Sequence, residues 1–172
     1  LGVLAGLGGV LFHFLLEQAR MLLSPGEFIS RVGPLWYYVT LILVPLAGSL
    51  VAAAMTILAP AIAAEKGVLS VIKAVMIRDG RIPLRNTLFH FFAPVISIGS
   101  GAPLGPESPS AQIGAGIGSF MAQVLKLDAR EMRMYAAAGA GAAIAAVFGA
   151  PIAGVFFGIE VILLNDLKNS LL

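Results

Sequence analysis

The sequence predicts an all-α integral membrane fold, a multi-helix bundle in which several helices are short, broken or re-entrant. Three observations predict it. Only 12% of the 172 residues are charged and 59% are hydrophobic, whereas a soluble domain carries roughly 25% charged residues. The charges fall in clusters separated by long uncharged apolar runs, and glycine- and proline-rich breaks interrupt those runs. The mean hydropathy of +0.96 points to lipid as the solvent.

The same composition excludes several classes. A net charge of +2 is too small to argue for a nucleic-acid partner. With no cysteine there is no disulfide frame and no thiolate chemistry. His13 and His90 are too few for a histidine-based metal centre. The first residue is Leu1 and the last residues are the apolar NSLL, so the chain is expected to be a piece of a longer protein. The N-terminal apolar run lacks the basic flank of a signal peptide.

The elements follow from the charge-free intervals, since a spanning helix needs about 20 apolar residues. Residues 1–16 read as a first span, cut at its start. Residues 17–35 read as a polar loop with breaks at Pro25-Gly26 and Gly33-Pro34. Trp36 to about Leu58 reads as the second span, ending at Pro60, and Trp36, Tyr37 and Tyr38 suit the water–lipid interface. Residues 65–85 hold five cations and two acids, against two and two in the 17–35 loop, which favours the cytoplasmic side for 65–85. Within them, VLSVIKAVMI is an apolar helix too short to span. Apolar helices are then expected over 86–98 and 107–125, with a glycine- and proline-rich break at 99–106. Residues 126–133 read as a polar connector, Met134–Phe148 as an Ala/Gly-rich helix broken by Gly149-Ala150-Pro151, and Ile152–Leu164 as the last helix.

The break before residue 107 carries the functional argument. Lipid cannot satisfy free backbone amides and carbonyls, so irregular backbone at membrane depth must be buried in protein or line a watery cavity. The following helix starts near Pro106, where a missing N–H costs little. Its remaining free amides carry partial positive charge and attract anions. Glu107 lies in that first turn and is the one formally charged residue between Asn86 and Leu125. An ionisable group at membrane depth is expensive and marks a pathway by default. A tethered carboxylate there acts as a gate, competing with a mobile anion and released by protonation. The plainer reading is an acid that complements the helix dipole.

The stretch Ile98–Gly118, IGSGAPLGPESPSAQIGAGIG, resembles the CLC family of voltage-gated chloride channels and chloride/proton exchangers, whose signature runs GREGPxxQIGxxIG. Residues 136–161, AAAGAGAAIAAVFGAPIAGVFFGIEV, resemble that family's downstream Ala/Gly-rich run ending in FxxE. The upstream helices fit by hydropathy and spacing alone. The resemblance implies that residues 1–172 are a partial transmembrane domain, one half of an inverted repeat, in a subunit that pairs as a homodimer. It implies Glu107 as the gating residue and Gly105, Pro106, Glu107 and Ser108 as the loop at the anion path. The family's arginine and glycine on either side of the glutamate are Pro106 and Ser108 here. The family's GSGxP stretch, which offers a serine hydroxyl to the anion, corresponds to Glu65–Leu69 (EKGVL), with Gly67 kept and Lys66 in place of the serine. The GSGAP at 99–103 is a decoy in the wrong register. The proton glutamate of the exchangers would follow Glu160, where Val161 stands, so Glu160 is the residue left for a proton path and Val161 favours a passive channel.

Each feature has a plainer alternative. Gly114, Gly116 and Gly118 serve close helix packing. Lys66 snorkels at a boundary, Glu160 is a structural acid near a helix end, and His90 is packed. A phosphate-loop reading of GSGAPLG fails because no Lys-Ser/Thr follows. The expectation is a multi-pass integral membrane protein of the cell or plasma membrane, not an enzyme. It is expected to move chloride or a similar small anion through a glutamate-gated pore, with no cofactor beyond the bound anion and with lipid as its surroundings. The rivals are a chloride/proton antiporter, a proton-coupled transporter of another substrate, and a non-conducting homologue with a structural or regulatory role.

Overall fold

A computed structural model describes residues 1–23 and 34–163. The described residues form eight α-helices and one π-helical segment, with no strand among them. The helices are α1 (Gly2–Leu23), α2 (Pro34–Leu58), α3 (Pro60–Ala63), α4 (Gly67–Ile77), α5 (Leu84–Gly99), α6 (Glu107–Val124), α7 (Ala129–Phe148) and α8 (Pro151–Phe156). The last continues into π-helical turns over Phe157–Leu163.

Among the described residues, only α1 and α2 are long and apolar enough to cross a bilayer unaided. At about 1.5 Å per residue, the 11 residues of α4 reach about 16 Å, roughly half of a 30 Å hydrocarbon core. The short, broken helices expected from the sequence are therefore present.

Three boundaries differ from the sequence reading. The first helix does not stop at Leu16 but runs to Leu23. Glu17 is tolerated on it because it faces outward and meets His13 one turn earlier, Nε2 to Oε1 3.5 Å. The 126–133 connector is helical from Ala129, because Asp128 starts a capping box. Its carboxylate accepts from the Glu131 amide at 2.7 Å, and the Glu131 carboxylate accepts from the Asp128 amide at 3.4 Å. The last helix changes to π geometry at Phe157. The expected breaks at Pro25-Gly26 and Gly33, and Leu164 with the Asn165–Asp166 pair, lie outside the described residues.

Glycine sets the core. α6 and α7 make the most extensive helix pairing, and Gly114 and Gly118 of α6 face Gly139 and the Tyr135–Ala136 backbone of α7. A Cβ on Gly114 would overlap the Gly139 carbonyl oxygen and lie 2.6 Å from Ala143 Cβ. Gly141 of α7 and Gly154 of α8 meet in the same way. Small residues thus let backbones touch. Around this seam Val71, Val75, Ala111, Ala115, Ala136, Ala140 and Ile162 form one buried cluster; Phe12, Leu16, Ile98 and Ile113 form another. By contrast α2 is exposed along most of its length.

The Gly149-Ala150-Pro151 break has local causes. Gly149 adopts the left-handed conformation at φ 61°, and the amides of Gly149 and Ala150 both turn back to the Ala145 carbonyl. Pro151 then occupies the first position of α8.

Candidate functional site at the starts of two helices

The chain between α5 and α6 is not helical. Ser100 closes α5, with its amide on the Ile96 carbonyl, and Gly101 follows at φ 103°. The break expected at 99–106 is therefore present, over residues 100–106, with Gly99 still the last residue of α5. Helix α6 opens at Glu107, and the Ser110 amide and hydroxyl both reach the Pro106 carbonyl, at 3.0 and 2.6 Å. The first amides of a helix have no intrahelical partner. Pro106 and Pro109 have no N–H at all. The open donors at this terminus are thus the amides of Glu107 and Ser108.

The Glu107 side chain is exposed and folds back onto Gly105. Its carboxylate occupies the space a Cβ at Gly105 would fill. Glycine at 105 is therefore what allows the carboxylate to lie over the helix mouth.

A second helix start abuts the first. Lys66, extended and exposed, is the N-cap of α4 without a side-chain capping bond. Gly67 opens α4 at φ +68°, a conformation that favours glycine. Its α-carbon faces Ser108, whose hydroxyl fills the place of a Cβ. The fold thus brings Lys66 and Gly67, more than thirty residues upstream, to the Gly105–Ser108 turn. Glu160 is not part of this meeting. It sits exposed on the π-helical segment, which packs on α4, α7 and α8.

Sequence reasoning missed the residues that hold this junction. Gln112, 3% exposed, lies one turn beyond Ser108 on α6. Its Oε1 accepts from the Gly67 amide at 3.0 Å, and its Nε2 donates to the Glu65 carbonyl at 2.9 Å and to the Ser70 hydroxyl at 3.0 Å. Ser70 in turn donates to the Gly67 carbonyl at 2.8 Å. The Glu65 carboxylate accepts from Asn86 at 2.7 Å and pairs with Arg78 at 2.5 Å. The only signal in the sequence was the glutamine of the QIG motif. The consequence for Gly67 is specific: its amide is already engaged, so it does not point a free donor at the junction.

These observations define a class: a helical protein with long exposed apolar helices that places the electropositive starts of two broken helices side by side, with an exposed carboxylate at one of them. A sequence model of the voltage gated chloride channel family matches residues 47–171, and the chain belongs to that family, with its all-α membrane fold. It is 34% identical over 177 aligned positions to an H(+)/Cl(-) exchange transporter ClcA of Vibrio cholerae, covering 92% of this chain and 34% of that protein. It is 29% identical over 170 positions to a ClcB-like protein of Ralstonia nicotianae, covering 94% and 39%. It is 32% identical over 91 positions to a chloride/fluoride channel protein of Pseudomonas syringae pv. tomato, covering 53% and 20%. The chain spans about two fifths or less of the length of these relatives.

Proposed function

We propose that the whole protein, of which this chain forms one part, carries chloride or a similar small anion across a lipid bilayer, with Glu107 as its gate. The observation that carries the reading is the meeting of the α4 and α6 starts at Gly67 and Ser108. Two helix N-termini concentrate partial positive charge on one point, and an anion there gains from both dipoles without a counter-ion. Lys66 at the α4 N-cap adds a full charge on the same side of that helix. Glu107 is tethered at the α6 mouth, where its carboxylate competes with the anion for the amides of Glu107 and Ser108. Protonation removes its charge and lets the side chain swing away. Gly105 and Pro106 shape that turn, and Ser108 adds a hydroxyl. In this reading the protein works as a homodimer of subunits that each hold a complete path.

The passive channel is favoured by Val161, which stands where an exchanger would place its inner acid. A chloride/proton antiporter is the second reading. It is favoured by the likeness to the Vibrio cholerae exchange transporter, with Glu160 next to Val161 as the proton-carrying group.

One experiment separates the readings. The full-length protein is reconstituted into liposomes loaded with chloride, and anion efflux is followed with and without a pH gradient. Efflux without proton movement supports the channel, and efflux that pumps protons supports the antiporter. No efflux refutes transport and leaves the non-conducting homologue. In a conducting protein Glu107→Gln changes the rate or its pH dependence; a variant with both unaltered refutes the gate.

A further inference from the structure

We infer that Gln112 is a positioning residue that sets anion selectivity, by fixing the gap between the starts of α4 and α6. The inference rests on the proposed anion path and deepens it.

Gln112 does not face the open end of either helix. Its carboxamide is buried and spent on α4: the Gly67 amide on one side, the Glu65 carbonyl and Ser70 hydroxyl on the other. Every one of its polar atoms therefore has a partner within residues 65–70. The bonds run from the second turn of α6 to the first turn of α4 and the residues just before it, so they fix the separation of the two helix starts. Above them Ser108 touches the α-carbon of Gly67, which closes the other side of the junction. The α4 side is itself braced. Glu65 is held by Asn86 at the start of α5 and by Arg78 just past the end of α4, and Asn86 is 5% exposed. A clamp anchored at both ends leaves little slack.

Two consequences follow for an anion. First, Gln112 takes the first amide of α4, so the donors left there are those of Val68 and Leu69, one and two residues deeper. Second, a gap of fixed width favours a small, strongly hydrated sphere that the remaining donors can surround. Without the clamp, the Gly67 amide turns free and the gap widens. Chloride then loses its tight contacts, and an anion with diffuse charge, such as nitrate, loses less.

The test uses the full-length protein in liposomes, with chloride and nitrate as the probe anions. Gln112→Met keeps the length and removes all three bonds. It lowers the chloride-to-nitrate flux ratio by about threefold to tenfold, the range set by one net hydrogen bond. Ser70→Ala removes one of the three bonds, retains the buried amide of Gln112 on Gly67, and lowers the ratio less, in the same direction. It decides the matter if the Met variant does not fold. The flux ratio, unlike the flux itself, does not respond to a mere loss of folded protein. Wild-type transport with an unchanged ratio in folded variants overturns the inference alone. Absence of anion flux in the wild type overturns the proposed function, and this inference with it.

Discussion

Replacing Gly114 by alanine tests the helix seam on which the site depends. The new methyl would overlap the carbonyl oxygen of Gly139 and sit 2.6 Å from Ala143 Cβ and 2.9 Å from the Gly139 carbonyl carbon. Carbon atoms in contact prefer about 3.5–4.0 Å. The obstacle is backbone, so no rotamer relieves it, and α7 must retreat by about 1 Å. Such a gap forfeits roughly a quarter to a half of each contact along the seam. Overpacking of this kind costs about 1–3 kcal/mol. Alanine's better helix propensity returns at most about 1 kcal/mol. Gly6→Ala is the matched control, because its methyl would meet only Ala146 Cβ at an ordinary 3.8 Å. The assay is thermal unfolding of the full-length protein in detergent, followed by gel filtration after heating. Gly114→Ala melts clearly below wild type, and Gly6→Ala melts at or above it. Equal melting of the two variants refutes the glycine-seam argument.

Three further outcomes are expected. Gly105→Ala evicts the Glu107 carboxylate from its place over Gly105; because the displaced group is a flexible side-chain end, stability is kept, while the pH dependence of liposome flux moves toward that of Glu107→Gln. Asp128→Ala removes the capping box of α7 and lowers stability by about 1 kcal/mol, read as a lower melting temperature with unchanged anion selectivity. Lys66→Ser removes the full charge beside the α4 start and weakens chloride uptake most at low ionic strength, since salt screens an exposed charge, so a flux difference that does not shrink with added inert salt contradicts the electrostatic role of Lys66.

Much of this architecture was legible because glycine and proline act locally. The break at Gly149-Ala150-Pro151 follows from a left-handed glycine and a proline that cannot continue a helix. The break before Glu107 follows in the same way. Charge was a poorer guide to helix ends. Glu17 and Arg20 on α1, and Glu131 on α7, suggested loops, yet each sits at an exposed helical position, where a charge costs little, or takes part in a cap. At the site, Glu107 stood out because nothing near it in sequence is charged, and Lys66 and Gly67 were reached through resemblance. Gln112, Ser70, Asn86 and Arg78 were not reached. Their roles join segments 13 to 47 residues apart, from Arg78 with the Glu65 carboxylate to Gln112 with the Glu65 carbonyl. A neutral glutamine inside a glycine-rich helix gives no local sign of such a partner.

The central claim is that a tethered carboxylate and a mobile anion share the same amides at the start of α6. Isothermal titration of chloride into the full-length protein, wild type against Glu107→Gln, tests it most directly. The account predicts severalfold tighter chloride binding once the competing charge is gone. Equal affinity in the two proteins would contradict it.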